Sequence, residues 1–307
     1  MYISVIICTH NPKLKVLKRT LRALEQQNLA QTDWELLLVD NKSSEVLEHT
    51  VDLSWHPNAR HLRENKAGLT AARLRGITDS RGRLLVFVDD DNVLAANYLS
   101  EAKAIYDTFP QIGAFCGEIL GEYETPPPAW FLPVSGMIAV RPLDRDRWTN
   151  SYGWSDAMPC GAGMCLVRTV ADAYLAASTN SASKQTLDRN GIGLMGGGDV
   201  DMAYTAIDLG YGVGRFKKLS LTHIVPSGRL ELTYLMKLRH DTAYSEILLD
   251  NLRDSTKQKW SKIRIVKYIV KHVIWMMFAE RNTRKIMCYG LKGWYKAIQE
   301  TKEYTLS

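Results

Sequence analysis

Apolar and polar positions along the first half of the chain fall into blocks that read as strands and helices in turn. Ile3 to Cys8 is a continuous apolar run, the pattern of a strand covered on both faces. Pro12 then opens a helix, because proline is tolerated in a first turn, and Leu14, Leu17, Leu21 and Leu24 form its apolar stripe. Glu35 to Val39 reads as a strand ending at Asp40. Leu69 to Ile77 reads as a helix, and Leu84 to Val88 as a buried strand ending at Asp89-Asp90-Asp91. Strands alternating with helices predict an α/β fold with a doubly wound, mostly parallel mixed sheet. Ligands bind such sheets beyond the carboxyl ends of the strands. That rule puts Thr9 to Asn11, Asp40 and Asp89 to Asp91 on one rim.

From Gly121 to Pro159 the periodicity breaks into a proline-rich, aromatic loop. A long loop inside a compact domain is more often functional than idle. Trp130, Phe131, Trp148, Tyr152 and Trp154 read either as a platform for an acceptor or as ordinary loop packing. Gly163 to Val167 resumes as a strand. Gly196-Gly197-Gly198 leads into a helix from Asp199 to Leu209 with Gly210 as its C-cap. A strand over Leu219 to Val225 carries His223, and beyond Glu231 the chain reads as helices. No internal repeat or low-complexity tract is present. The predicted organisation is a catalytic domain over residues 1–228 and a helical extension over 229–307.

The 307 residues, 46% of them hydrophobic, suffice for a sizeable core. The opening MYISVIICTHN has no basic n-region and runs into a polar motif, unlike a secretory signal. No stretch reaches the roughly 20 uncharged apolar residues of a spanning helix. A cytoplasmic protein is expected, its five cysteines reduced. Cys160 and Cys165 lack a second Cys/His pair that would complete a metal site. The charge is uneven. Residues 253–303 hold 13 Lys/Arg against 4 Asp/Glu, a net +9, whereas the whole chain is +6, so the rest is −3. Within this tail Val266, Ile269, Val270, Val273, Met277 and Phe278 recur at helical spacing with Lys262, Lys267 and Lys271 interleaved, and Trp275 suits headgroup depth. A basic amphipathic helix of this kind predicts a peripheral partner, an anionic membrane surface on the cytoplasmic side. The competing reading packs the stripe on the catalytic domain or a second subunit. No nucleic-acid-binding motif accompanies the charge, so nucleic acid is not an expected partner.

Three features carry chemistry. In FVDDDN, three adjacent carboxylates at a strand end repel one another and call for a counter-charge, which a divalent cation with oxygen ligands supplies. The bland alternative is a solvated acidic turn. In GGGDVDMAY, Asp199 follows three glycines at a helix start. Asp is a favoured N-cap, yet capping does not need three glycines, and close backbone approach to a ligand does. An ionised carboxylate there can accept a proton from an attacking hydroxyl; Asp201, two positions on, is the second candidate. His223 in LTHIVP reads as a structural histidine or as a nitrogen ligand for a site begun by Asp91.

The set SVIICTHN, LLLVDNKS, ENKAGLTAAR, FVDDDN, GGGDVDMAY and THIVP, in this order, resembles the family 2 inverting glycosyltransferases with a nucleotide-diphospho-sugar-transferase-like (GT-A) fold, over roughly residues 1–228. The resemblance implies a donor site of Thr9, Asn11, Asp40, Asn65, Arg73, Asp89 and Asp90, with Asp40 accepting from a nucleobase N–H and Asp89 holding the ribose. It implies Asp91 as ligand of a Mn²⁺ or Mg²⁺ bridging the two phosphates, with His223 completing the shell, and Asp199 as general base. The implied partners are a nucleotide sugar, a UDP-sugar in the first instance, and a glycan or lipid-linked acceptor. Trp130, Phe131 and Trp154 are the acceptor candidates. The chain departs from the family where Glu-Asp is common before the catalytic helix: here the pair is Gly198-Asp199, which keeps Asp201 in play. A nucleotidyltransferase on the same fold would want a Gly-rich, Arg/Lys-bearing loop after the first strand, where this chain has THNPK. An inactive nucleotide-sugar-binding protein is the other alternative.

Overall fold

A computed structural model describes residues 1–153, 155–185, 187–189, 193–253 and 262–303. Its sheet contains β1 (Ile3–Thr9), β2 (Trp34–Asn41), β3 (Ala59–Glu64), β4 (Leu84–Asp89), β5 (Asn92–Leu94), β6 (Ile112–Tyr123), β7 (Arg147–Thr149), β8 (Cys165–Val167) and β9 (Gly212–Val225). The strand order is β3-β2-β1-β4-β8-β6-β9-β5, with β7 also paired to β9. The first four run parallel. β8 is antiparallel to β4 and β6, and β5 and β7 are antiparallel to β9. The sheet is therefore mixed, with a parallel half, as the alternation of elements predicts.

β1 forms from mostly β-branched residues (Ile3, Val5, Ile6, Ile7 and Thr9) and β2 around the apolar run Leu36 to Val39. Both strands are buried almost throughout, because helices cover both faces. Each fully buried aliphatic side chain here, such as Ile6 or Leu37, contributes about 1.5–3 kcal/mol. The helices of this half are α1 (Leu14–Glu25), α2 (Leu69–Asp79), α3 (Tyr98–Thr108), α4 (Arg168–Thr179), α5 (Ala182–Gln185) and α6 (Gly198–Asp208). α1 differs from its sequence reading. Lys13 is its N-cap and Leu14 is exposed, so Pro12 lies before the helix. The buried face is Leu17, Thr20, Leu21 and Leu24, and the Thr20 hydroxyl donates to the Asp90 carbonyl at 3.0 Å. α6 ends as expected at Gly210, whose φ of 84° suits glycine.

The chain divides into two units. The first is residues 1–122, 139–186 and 198–224; the second is 123–138, 187–197 and 225–307. The second unit thus begins its long C-terminal stretch four residues before the predicted boundary at 229, and it also takes in part of the aromatic loop. Its helices are α7 (Leu232–Arg253), α8 (Lys262–Phe278) and α9 (Arg281–Glu303). Ala243 and Ile247 of α7 form a small core with Trp294, Ala297 and Ile298 of α9. Gly293 permits this packing, since a Cβ there would stand 2.1 Å from the His240 carbonyl oxygen. Among the described residues, no helix is long and apolar enough to cross a membrane.

Candidate active site

Strand register builds the rim. Thr9 pairs with Asp40 across β1 and β2, and Cys8 pairs with Asp89 across β1 and β4. Loops after these strands are tied to one another. The Asn11 carboxamide oxygen accepts the Ser44 amide at 2.8 Å and its hydroxyl at 2.9 Å, while the Asn11 amide donates to the Ser43 hydroxyl at 2.9 Å. Asn11 adopts φ 48°, a left-handed conformation that Asn tolerates. Asn41, a residue the sequence reading did not single out, latches the next loop. Its amide donates to the Lys66 carbonyl at 2.7 Å and its oxygen accepts the Gly68 amide at 2.8 Å.

Asp40 is buried and accepts the Ser43 amide at 2.9 Å, the Leu47 amide at 3.2 Å and the Arg63 guanidinium. Burial opposes its ionisation, but these donors outweigh burial and hold its carboxyl below the ordinary value. Asn65 is exposed in the loop between β3 and α2, and Arg73 is buried on α2.

The acidic triplet is not a uniform cluster. Asp89 ends β4, and Asp90 accepts a hydrogen bond from the Thr9 hydroxyl. Contacts from β9 and from Asn92 hold Asp91. Its backbone carbonyl accepts the Ile224 amide at 2.9 Å, the Asn92 amide group donates to its Oδ1 at 3.1 Å, and His223 Nε2 lies 3.3 Å from its Oδ2. β5 pairs antiparallel with β9 in the register Asn92↔His223, so a residue 132 positions away in sequence is brought beside the triplet. A carboxylate and an imidazole side by side match the donor set of a divalent cation. Among the described residues, no group of three or more His, Cys, Asp or Glu is placed to hold a metal. The Asp91–His223 pair would thus need oxygen ligands from a nucleotide diphosphate or water.

Asp199 lies in the first turn of α6, where the helix dipole favours negative charge. Its Oδ1 accepts the Val200 amide at 2.9 Å and its Oδ2 accepts the Gly161 amide at 3.0 Å. Gly161 explains the close approach: a Cβ there would stand 2.6 Å from Arg73 Nη2 and 3.7 Å from the Asp199 Cβ. Arg73 and Asp199, distant in sequence, therefore flank one glycine. Asp201 has a different environment. It has no exposed surface and forms an ion pair with Lys184 at 3.1 Å, which ties α5 to α6. This geometry closes Asp201 to an acceptor and leaves Asp199 as the candidate base.

Cys160 adjoins this site but its neighbour is Cys116, not Cys165. The Cys160 hydrogen bond, with the Arg141 and Arg215 charges, pulls the Cys116 thiol down to about 7, and the same hydrogen bond pushes Cys160 up.

The aromatic loop divides. Phe131 is fully buried, edge-on to Tyr123 at 5.8 Å, so its expected place on an acceptor platform is corrected: it is core. Trp130 is partly buried, and Trp154 lies outside the described residues. Trp148 and Tyr152 are the exposed rings. Tyr152 donates to Asp208 at 2.6 Å and packs against Tyr204.

A mixed sheet with an acidic strand end, an apposed histidine and a carboxylate at a helix start is the frame of a GT-A-type transferase. Residues 4–154 match the family model for glycosyl transferase family 2. Over this stretch, just under half of the chain, the sequence is similar to glycosyl transferase family 2. No curated protein matches the chain by sequence. Among solved structures, residues 1–349 of S. aureus TarS align with TM-score 0.51 and 13% identity, covering 99% of this chain and 92% of that one. The same fragment in complex with UDP-GlcNAc gives TM-score 0.52 and 12% identity over the same shares. The longer S. aureus TarS chain gives TM-score 0.54 and 13% identity, covering 97% of this chain and 55% of that one. At these identities the likeness defines the fold.

Proposed function

We propose that this chain is a metal-dependent, inverting glycosyltransferase that moves a sugar from a nucleoside-diphosphate sugar to a hydroxyl of a glycan or lipid-linked acceptor. The observation that carries the reading is the pairing of Asp91 with His223 in a chain similar to family 2 whose Asp199 sits at a helix start. A uridine nucleotide is the favoured donor, in keeping with the UDP and UDP-GlcNAc complexes of TarS.

In this reading Thr9, Asn11, Asp40, Asn65, Arg73, Asp89 and Asp90 hold the nucleotide from the rim. Asp91 and His223 hold a Mn²⁺ or Mg²⁺, which when bound neutralises the departing diphosphate. Asp199 accepts the proton of the acceptor hydroxyl as that oxygen bonds to the anomeric carbon. Its two backbone hydrogen bonds fix the carboxylate, and each oxygen keeps a further lone pair for this task. Attack from the face opposite the leaving diphosphate inverts the anomeric centre in one displacement.

The test is a panel of nucleotide sugars screened for thermal stabilisation with and without Mn²⁺, followed by NMR of the product. Stabilisation by a UDP-sugar and a product of inverted configuration are expected. Retained configuration refutes the single displacement. Transfer of a nucleotidyl group in place of a sugar supports the nucleotidyltransferase alternative, and binding without turnover supports an inactive donor-binding protein.

A further inference from the structure

α8 has two unlike sides. On one, Ile269 packs against the α7–α9 core, and Met276 is 8% exposed with its Sδ 3.5 Å from Cys288 Sγ. On the other, Val266, Val270, Ile274, Met277 and Phe278 are 57%, 48%, 53%, 69% and 86% exposed. Steps of four, four, three and one residues place all five on one face of a helix. Other exposed apolar residues, such as Leu14, Val46 and Leu120, are scattered over different elements. Scattered exposure is ordinary in a folded chain; a contiguous apolar stripe marks an interaction surface.

The charge identifies the partner. α8 contains Lys262, Arg264, Lys267 and Lys271 and no Asp or Glu, and Lys267 is exposed beside Val266. We propose that the exposed face of α8 is an interfacial binding surface for an anionic lipid bilayer, lying in the membrane plane with its five apolar side chains at the acyl boundary. The helix is not long and apolar enough to cross a membrane, which matches an interfacial position. A second copy of the chain fits less well. A two-fold contact would set this acid-free, basic helix against itself, with like charges facing. An anionic surface instead neutralises them, and each basic residue near it strengthens binding about fivefold.

Vesicle co-sedimentation of the full chain tests this. Phosphatidylglycerol-containing vesicles should bind it, pure phosphatidylcholine vesicles should bind it weakly, and salt should release it. Val270→Gln/Ile274→Gln/Phe278→Gln should lose binding about tenfold or more with an unchanged circular dichroism spectrum. Lys267→Glu should lose more than the fivefold of one removed charge, because it also adds a repulsive one. Equal binding to both vesicle types, or a triple variant that binds as well as the parent, overturns the proposal. So does a parent that ignores vesicles. In that case, sedimentation equilibrium showing a dimer that the triple variant converts to monomer would assign the face to a second copy.

Discussion

His223 Nε2 stands 3.3 Å from the Asp91 carboxylate because the pairing of β5 with β9 puts Asn92 opposite His223. If this pair holds a cation against a diphosphate, UDP should bind tightly only with Mn²⁺ or Mg²⁺, and chelator should abolish the effect. We predict that Asp91→Asn and His223→Gln each weaken Mn²⁺-dependent UDP affinity by about 10–100-fold in calorimetry. Metal-independent UDP binding of unchanged strength in chelator would place the nucleotide elsewhere.

Asp199 serves its own helix and the Gly161 amide at once. Asn keeps an acceptor oxygen for only one of these two amides and cannot take a proton. Asp199→Asn should therefore lose about 1–3 kcal/mol of stability and keep donor affinity while transfer falls by about 10²–10⁴-fold. Retention of most of the rate would reduce Asp199 to a helix cap.

The Lys184–Asp201 pair predicts a different signature. Lys184→Met leaves a buried carboxylate without its cation and should cost about 3 kcal/mol in chemical denaturation. Lys184→Met/Asp201→Asn should recover much of that loss, since paired residues are non-additive. The double variant should also retain transfer, because Asp201 is here a positioning residue. A folded but inactive double variant would return the base role to Asp201.

His56 predicts a pH dependence of stability. Burial beside Trp34, with ring centroids 4.0 Å apart, lowers its value from 6.5 to about 4. Between those pH values the unfolded chain binds a proton that the folded chain does not. The stabilisation is fully present above about pH 6.5 and is lost as pH falls toward 4, up to about 3 kcal/mol in all. His56→Gln, which keeps an acceptor for the Asn58 amide that His56 Nδ1 accepts at 3.2 Å, should flatten this part of the Tm–pH curve. A parallel curve for the variant would assign the slope to other groups.

The parallel half of the sheet was legible in the sequence because its strands are buried on both faces. Ile3–Thr9, Trp34–Asn41 and Leu84–Asp89 are apolar runs, and their ends name the rim. β3 was not, because Ala59–Glu64 is a partly buried edge strand, mostly polar and with no apolar signature. Phe131 misled for the opposite reason: an aromatic in a proline-rich loop looks available, and only packing against Tyr123 shows it as core.

What the sequence determined by itself is local chemistry: which strands end in carboxylates, that glycines precede Asp199, and that the basic, apolar-striped segment lies near the C-terminus. Tertiary structure decided which of these meet. Nothing in a local pattern brings His223 to Asp91, sets Gly161 between Arg73 and Asp199, or hides Asp201 against Lys184. Those contacts join segments up to 132 residues apart, and they follow from strand register and helix packing, which depend on the whole core rather than on any one motif.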